Sequence, residues 1–395
     1  MKSILDKNFK GKKVLVRVDF NVPLDKEQNI IDDSRIKASL PTIKKLLNDK
    51  AKVILMSHLG RPSCKDEKFS LKWIIFRLQE LLGVHVVFSN DCVGSSVEKL
   101  ANDLNNGEVL VLENLRFYKE EKLGEKKFSE KLSRLADVYV NDAFGAAHRK
   151  HSSTSVISSF FSHEKYFGLL LKKEVESLEK ALNTPKRPFT AVIGGAKIAG
   201  KIDVMFSLMD KVDNLIIGGG MAYTFVKAMG GNIGKSLLEK DKINLAKNII
   251  KKSRELGVKL ILPTDSVNAD SFSNDAKTSR SDILNIEDNY MGLDIGEKSI
   301  RLFSKVIESS NTIIWNGPMG VFEMSNFEKG TKMICEAVCR TTSNGAFSLI
   351  GGGDSVSAVK KFNLSDKVSY ISTGGGAMLE YLEGKKLPGI VALLE

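Results

Sequence analysis

Short apolar runs, each followed by a polar or glycine-rich turn and then by a helical pattern, recur from one end of the chain to the other. In the first half the runs cover residues 14–19, 53–56, 109–112 and 138–140. In the second half they cover residues 191–193, 215–217, 260–262, 313–315, 347–350 and 368–371. This alternation is typical of the βαβ units that build parallel sheets. The pattern therefore predicts an α/β fold of two doubly wound, Rossmann-like parallel-sheet domains.

A helical pattern separates the two sets of runs. Residues 169–182 place apolar side chains at Leu171, Val175 and Leu178, and Pro185 follows soon after the pattern ends. Because proline rarely continues a helix, we expect a connector helix with a hinge here. The 395 residues also exceed what one hydrophobic core usually supports. We predict a first domain over 1–168, a connector over 169–184 and a second domain over 185–383.

Composition narrows the class of protein. The chain is 42% hydrophobic and 27% charged, which is near the average for a folded globular protein. No apolar run approaches the roughly 20 residues that span a bilayer, and the first residues lack the apolar core of a secretory signal. We therefore expect a cytoplasmic protein that binds no membrane. The net charge of +11 is spread along amphipathic segments, which favours a basic solvated surface that attracts anionic metabolites.

The four cysteines show no CxxC spacing. Cys335 and Cys339 lie four residues apart in one predicted helix, while Cys64 and Cys92 are isolated. This arrangement predicts buried free thiols, not a metal site or a disulfide framework.

Polar side chains follow the apolar runs of the first half. In open parallel sheets, ligands bind beyond the carboxyl ends of the strands. The side chains found there are Arg17, Asp19, Asn21, Ser57, His58, Arg61, Glu113, Asn114, Arg116, Asn141, Asp142, His148 and Arg149, to which Arg35 adds a further guanidinium. Converging guanidinium groups bind carboxylate and phosphate in a planar, bidentate way, so we expect a small anionic substrate. The alternative is that each arginine pairs with a nearby acid, for example Arg17 with Asp19.

Glycines follow the runs of the second half. They occur at 194–195, 218–220, 317, 320, 351–353 and 374–376. Glycine lets the backbone approach a ligand closely, and the helix that follows offers free N–H groups to phosphate, which indicates a nucleotide site. Tight strand-to-helix turns also use glycine for steric reasons alone. The stretch from Gly195 to Lys201 spells GxxxxGK, but Ile202 replaces the hydroxyl residue of a P-loop, and no cluster completes GxGxxG.

An anion-binding half joined to a nucleotide-binding half suggests phosphoryl transfer. This reaction needs alignment, positive charge and a metal on the nucleotide phosphates more than it needs covalent help. Arg35 is the candidate for stabilising charge on the transferred group, Lys197 and Lys201 supply further charge, and Asp354 can bind Mg²⁺. Two alternatives remain open: a non-catalytic two-domain anion-binding protein and a nucleic-acid binder.

Several strings resemble the phosphoglycerate kinase family along nearly the whole chain. They are RVDFNVPL (17–24), SHLGRP (57–62), LENLRF (112–117), NDAFGAAHR (141–149), GGAK (194–197), MGLDIG (291–296), WNGPMGVFE (315–323), GGGDS (351–355) and STGGGA (372–377). The resemblance implies reversible phosphoryl transfer in glycolysis from 1,3-bisphosphoglycerate to MgADP, giving 3-phosphoglycerate and MgATP. It also implies direct in-line transfer after hinge closure, by a monomer whose residues 384–395 return to the first domain.

The resemblance carries roles onto positions of this sequence. It implies that 3-phosphoglycerate is bound by Asp19, Asn21, Arg35, His58, Arg61, Arg116 and Arg149. It implies that the nucleotide is bound by Lys201, Gly292, Asn316, Glu323, Gly351, Gly352, Gly353 and Asp354, with Asp354 also holding Mg²⁺. The residues implied in catalysis are Arg35, Lys197 and Gly375. One departure is that Ala199 and Gly200 stand where the family usually has a serine and an acid.

Overall fold

The computed structural model describes residues 1–395, which divide into two compact units. Unit 1 comprises Met1–Glu176 and Lys386–Glu395, and unit 2 comprises Ser177–Lys385. The boundary falls within one continuous helix, Leu169–Leu182. No helix is both long and apolar enough to cross a bilayer.

Unit 1 is built on a six-stranded parallel sheet. Its strands are β1 (Lys13–Arg17), β2 (Lys52–Met56), β3 (Val86–Phe88), β4 (Val109–Val111), β5 (Val138–Asn141) and β6 (Lys165–Phe167), in the order β3-β4-β2-β1-β5-β6. Its helices are α1 (Ser34–Asn48), α2 (Lys72–Leu82), α3 (Ser95–Asp103), α4 (Lys119–Leu123), α5 (Lys126–Ser133), the first part of α6 (Leu169–Leu182) and α14 (Pro388–Leu394). The central strands are buried along almost their whole length because helices cover both faces of the sheet.

Unit 2 repeats this architecture. Its main parallel sheet has the order β10-β8-β7-β15-β16-β17, formed by β7 (Phe189–Ile193), β8 (Asn214–Ile217), β10 (Lys259–Ile261), β15 (Thr312–Asn316), β16 (Phe347–Ile350) and β17 (Tyr370–Ile371). Its helices are α7 (Ile202–Met209), α8 (Ala222–Ala228), α9 (Ile243–Glu255), α10 (Glu297–Glu308), α11 (Lys329–Ser343), α12 (Gly353–Lys361) and α13 (Gly375–Leu382). The predicted fold class, two doubly wound parallel sheets, is confirmed.

Unit 2 also contains two small sheets that the apolar pattern did not predict. One is antiparallel, with the order β12-β11-β14, and consists of β11 (Asp265–Ala269), β12 (Thr278–Asp282) and β14 (Met291–Ile295). The other pairs β9 (Asn232–Ile233) with β13 (Asn285–Ile286). The predicted MGLDIG motif therefore lies on a strand of the antiparallel sheet.

The cysteine prediction is correct at three positions and wrong at one. Cys92, Cys335 and Cys339 are buried free thiols, whereas Cys64 is exposed. Cys64 lies in the polar loop that follows the SHLGRP string, where no core is available to cover it.

Candidate active site

The predicted anion-binding residues of unit 1 lie in the segments that follow β1, β2, β4 and β5 and at the start of α1. Because these strands are parallel neighbours, their carboxyl ends meet at one edge of the sheet. We refer to this group as the arginine cluster, and it comprises Asp19, Asn21, Arg35, His58, Arg61, Arg116 and Arg149.

Asp19 and Arg35 form the ion pair of the arginine cluster. Arg35 Nη1 lies 2.5 Å from Asp19 Oδ2, and the carboxylate is buried while the guanidinium is about one-third exposed. Burial alone would raise the pKa of Asp19, but the neighbouring cationic groups lower it below its usual range. Asp19 is therefore ionised at neutral pH and orients Arg35 without removing it from solvent.

His58 is held as a neutral hydrogen-bond donor. Its Nδ1 lies 3.1 Å from Nη2 of Arg17, and a guanidinium can only donate, so Nδ1 accepts and the ring proton lies on Nε2. Burial lowers the pKa of His58 well below its usual range, and Arg17 and Arg116 add to this effect although Asp19 opposes it. The imidazole therefore binds as an N–H donor and does not titrate near neutrality.

Arg17 is not part of the anion-binding surface, which corrects the sequence-based interpretation. Its side chain is buried, and Nε donates to Ser153 Oγ at 2.9 Å. Ser153 in turn donates from N and Oγ to the two carboxylate oxygens of buried Glu121, at 3.0 and 2.6 Å. Arg17 thus links this internal network to His58, and neither Ser153 nor Glu121 was identified from the sequence.

Two further members of the arginine cluster, Asn21 and Arg116, hold the backbone of Gly60. Asn21 Oδ1 accepts from Gly60 N at 2.7 Å, and Arg116 Nη1 donates to Gly60 O at 2.5 Å. Burial lowers the pKa of Arg116, and the charges of Arg17 and Arg61 lower it further. Arg61 and Arg149 are exposed. With Asp19 as the only carboxylate among its members, the cluster is a strongly cationic surface that favours a multiply charged anion.

Several glycines of unit 2 are required by packing. A Cβ at Gly194 would lie 2.1 Å from Pro318 O, and a Cβ at Gly219 would lie 2.5 Å from Gly195 N. A Cβ at Gly351 would lie 1.8 Å from Met378 Sδ. The steric explanation therefore accounts for these positions, because the loops after β7, β8 and β15 touch one another through their backbones.

Lys201 ties these loops together. Its Nζ donates to Gly194 O at 2.7 Å and to Asn316 O at 3.0 Å, while Asn316 Nδ2 donates to Gly351 O at 2.9 Å. Burial lowers the pKa of Lys201 to about 8, and the charge of Asp354 opposes that shift. Lys201 and Asn316 thus place one ammonium group at the carboxyl ends of β7, β15 and β16.

Two helices begin beside each other at the same edge of this sheet. α12 begins at Gly353 and α13 at Gly375, and a Cβ at Gly375 would lie only 3.8 Å from Gly353 N. The first N–H groups of a helix have no partner within the helix and attract anions. Gly352 has a φ of +91°, which glycine tolerates, and a Cβ on Gly353 would meet no atom within 4 Å. These two helix starts form a surface suited to phosphate.

Three predicted residues of unit 2, the catalytic candidate Lys197 and the nucleotide-binding candidates Gly292 and Glu323, lie apart from this group. Lys197 and Glu323 are exposed. Gly292 is buried on β14, where its N donates to Ser236 Oγ at 2.8 Å and a Cβ would clash with the Tyr223 hydroxyl. No hydrogen bond or ion pair joins any of the three to Lys201.

Comparisons with known proteins identify the family. The family model for phosphoglycerate kinase matches residues 4–385. The chain is 52% identical to phosphoglycerate kinase of Porphyromonas gingivalis, with 98% of each chain covered. It is 54% identical to the cytosolic phosphoglycerate kinase of Triticum aestivum, covering 98% of this chain and 96% of that protein. The solved phosphoglycerate kinase of Coxiella burnetii superposes with a TM-score of 0.90 at 39% identity, covering 99% of this chain and 98% of that one.

The two sheets, the arginine cluster and the paired helix starts define a two-unit phosphotransferase. Since both the family model and the relatives cover nearly the whole chain, the family is settled as well. The chain belongs to the phosphoglycerate kinase family. It is therefore a glycolytic enzyme that transfers a phosphoryl group to or from a carboxyl group, and the non-catalytic binding protein is not favoured.

Proposed function

We propose that the arginine cluster binds 3-phosphoglycerate and 1,3-bisphosphoglycerate. The observation that carries this assignment is the excess of guanidinium groups, because only Arg35 has a carboxylate partner within the cluster. Arg61, Arg116 and Arg149 would bind the ligand's phosphate and carboxylate oxygens. Neutral His58 would donate from Nε2, and Asp19 and Asn21 would hold Arg35 and the Gly60 backbone in place.

We propose that unit 2 binds ADP and ATP through Lys201, Asn316 and the helix starts at Gly353 and Gly375. The N–H groups there would contact phosphate oxygens, with Gly351 and Gly352 shaping the turn. Gly292 and Glu323 would contact the nucleoside, a role that rests on the family resemblance alone.

Asp354 fits the ligand set that Mg²⁺ prefers. Its carboxylate is exposed, lies in the first turn of α12 and forms no ion pair. No group of three potential metal ligands exists in the chain, so the ion would arrive with the nucleotide. When bound, Mg²⁺ would neutralise phosphate charge.

Catalysis would depend on charge placement. Arg35, Lys197 and the N–H of Gly375 would stabilise the phosphoryl group during in-line transfer. A carboxylate acceptor is already ionised at neutral pH, so the reaction needs no general base. A neutral His58 fits this scheme, because the one histidine of the cluster then serves as a hydrogen-bond donor and not as a base. The two ligands would meet after hinge bending about α6. Residues 1–168 and residues 185–383 would form the two moving domains, and residues 384–395 would return to complete the first of them.

We also propose that the enzyme is a cytoplasmic monomer that binds neither nucleic acid nor membranes. The wheat relative is named as cytosolic, although a relative from Arabidopsis thaliana is named as chloroplastic. Sedimentation of the pure protein tests the monomer, and the basic surface can be tested with random duplex DNA at physiological salt.

The test of the site is coupled turnover of 3-phosphoglycerate with MgATP. Arg35→Ala should lower kcat by roughly 100-fold or more, the usual loss when one charge-stabilising donor is removed. Lys201→Ala should raise KM for ATP and lower kcat. Arg77→Ala is a matched control, because Arg77 pairs with Asp33 and Glu80 on the surface of unit 1. Loss in the control equal to that in Arg35→Ala would contradict the assignment.

A further inference from the structure

Unit 2 contains a pair of thiols that the transfer reaction does not use. Cys335 and Cys339 lie four residues apart on α11, and both are free. Side chains at i and i+4 share one face of a helix, with roughly 5–6 Å between their Cβ atoms. The two sulfur atoms are therefore placed side by side on one helical face.

Cys339 is reached from a surface cavity of about 580 Å³. Cys339 lines this cavity and is 7% exposed, whereas Cys335 lies fully buried behind it in the core. Leu364 and Val368 provide an apolar wall, and the charged lining comprises Glu336, Arg340, Asp366 and Lys367. A ligand with an apolar body can thus reach Cys339, and Cys335 is the next thiol along the same helical face.

The two thiols differ in reactivity. The interaction between the neighbouring thiols lowers the pKa of Cys339 below its usual range and raises that of Cys335, while burial opposes ionisation of Cys339. The thiolate is the nucleophilic form of cysteine, so Cys339 reacts first and Cys335 second.

The donor set limits which ligand the pair can hold. No group of three histidine, cysteine or acidic side chains in the chain is arranged to hold a metal ion, so a four-coordinate zinc ion at the thiol pair would lack half its ligands. A soft, thiophilic centre that forms only two bonds to sulfur needs no third donor. Monosubstituted trivalent arsenic has this requirement, because its third bond is already made to carbon.

We propose that Cys335 and Cys339 form a dithiol site for monosubstituted trivalent arsenicals, with the organic substituent in the cavity. In the reaction with phenylarsine oxide, each S–H bond breaks and two As–S bonds form. The arsenic-bound oxygen leaves with both protons as one water molecule. Arsenic stays trivalent and neither sulfur is oxidised, so no further reagent is needed.

The site lies away from the proposed nucleotide surface. The cavity is lined by Thr342 and Ser343, which precede β16, and by residues that precede β17. The helix starts at Gly353 and Gly375 follow those same strands. Because the strands are parallel, the cavity and the phosphate-binding surface lie at opposite edges of the sheet. Binding of an arsenical in the cavity should therefore change KM for ATP by no more than about 2-fold, whereas an energetic coupling of 1.4 kcal/mol would change it tenfold.

The experiment is native mass spectrometry of the full chain with phenylarsine oxide. We expect one adduct per chain that survives excess 2-mercaptoethanol and is removed by 2,3-dimercaptopropanol. After adduct formation, unfolding in iodoacetamide and peptide mapping should show Cys335 and Cys339 protected, while Cys64 and Cys92 are alkylated. This mapping uses the native sequence and does not depend on a variant that folds.

Variants provide the second arm. Cys335→Ser and Cys339→Ser should each abolish the monothiol-resistant adduct, whereas Cys92→Ser, a buried cysteine without a neighbouring thiol, should retain it. The proposal is overturned if no stable adduct forms, if the protected residues are others, or if sodium arsenite, which favours three sulfur bonds, binds as tightly as phenylarsine oxide.

Discussion

At the scale of single residues, the orientation and protonation of side chains in the arginine cluster depend on buried partners outside it. Arg17 is buried and donates to both Ser153 and His58, so a residue that never faces the ligand decides which nitrogen of His58 carries its proton. Glu121 accepts from Ser153 Oγ at the inner end of this network. The same arrangement leaves Arg35 partly exposed beside Asp19, ready to contact an anion.

The fixed tautomer of His58 can be tested by substitution. His58→Gln can present an N–H near the position of Nε2, whereas the shorter side chain of His58→Asn ends near Nδ1 and cannot place an N–H at the Nε2 position. We expect KM for 3-phosphoglycerate to rise roughly 10-fold or more in His58→Asn and less in His58→Gln, since a hydrogen bond to a charged group contributes about 1.5–3 kcal/mol. Exposed His163→Asn serves as the control and should leave KM unchanged. Equal losses in both His58 variants would contradict the assigned tautomer.

Lys201 should take up a proton when nucleotide binds. A lysine is charged below its pKa, so with a value of about 8 in the free protein it is partly neutral at pH 8.5. Bound phosphate raises that pKa, because an opposite charge favours the ammonium form. Calorimetry in two buffers of different ionisation enthalpy should show proton uptake at pH 8.5 but little at pH 6.5. Lys201→Arg, which stays charged, should show none at either pH; uptake that persists in this variant would exclude Lys201 as its source.

At the scale of elements, the turns of unit 2 contain two kinds of glycine: those required by packing and those where a side chain would meet open space. A Cβ at Gly194 would meet Pro318 O at 2.1 Å, while a Cβ at Gly200 would meet no atom within 4 Å. The two positions flank Lys197 in the same segment, so they form a matched pair.

We expect Gly194→Ala to destabilise unit 2 by about 1–3 kcal/mol, the usual cost of forcing extra volume into a packed site. Gly200→Ala should change the free energy of unfolding by no more than about 0.5 kcal/mol. Denaturant unfolding followed by the fluorescence of buried Trp315, in a Trp73→Phe background, measures both. A Gly194→Ala protein as stable as Gly200→Ala would show that the loops can separate without cost.

The sequence predicted the central strands of both sheets because they are buried on both faces and read as continuous apolar runs. It missed β3 and β6, which are three-residue edge strands, and it missed β12, whose TSRSD sequence contains no apolar residue. The arginine cluster was predictable because arginines follow several strands. The Glu121–Ser153–Arg17 network was not, because its members come from distant segments and only the folded backbone shows which side chains point inward.

At the scale of the whole molecule, the last residues belong to unit 1 although the chain has passed through unit 2 before reaching them. Gly389 N donates to Ala147 O at 2.8 Å, and Asn141 Nδ2 donates to Gly389 O at 3.3 Å. Leu387, Ile390 and Leu393 are nearly fully buried. This segment therefore supports the loop that carries Arg149.

Deletion of residues 386–395 should act on unit 1 alone. Loss of three buried aliphatic side chains should destabilise unit 1 by roughly 6 kcal/mol or more, since each such loss usually costs about 2–5 kcal/mol. Trp73 fluorescence should then report an earlier unfolding transition, whereas Trp315 in unit 2 should report an unchanged one. Binding of 3-phosphoglycerate should weaken and binding of ATP should persist. Equal destabilisation of both units would show that the segment acts on the whole molecule.

The same chain path sets an order of events on the ribosome. Domains usually fold in the sequence in which they emerge. Here the residues of unit 2 are continuous, so this unit can finish folding as soon as Lys385 has left the exit tunnel. Unit 1 emerges first but lacks α14 until Pro388–Leu394, which follow all of unit 2 in the chain, have also emerged. The earlier-made half of the enzyme is thus the later one to be finished, and the surface that α14 covers stays exposed on the nascent chain until then.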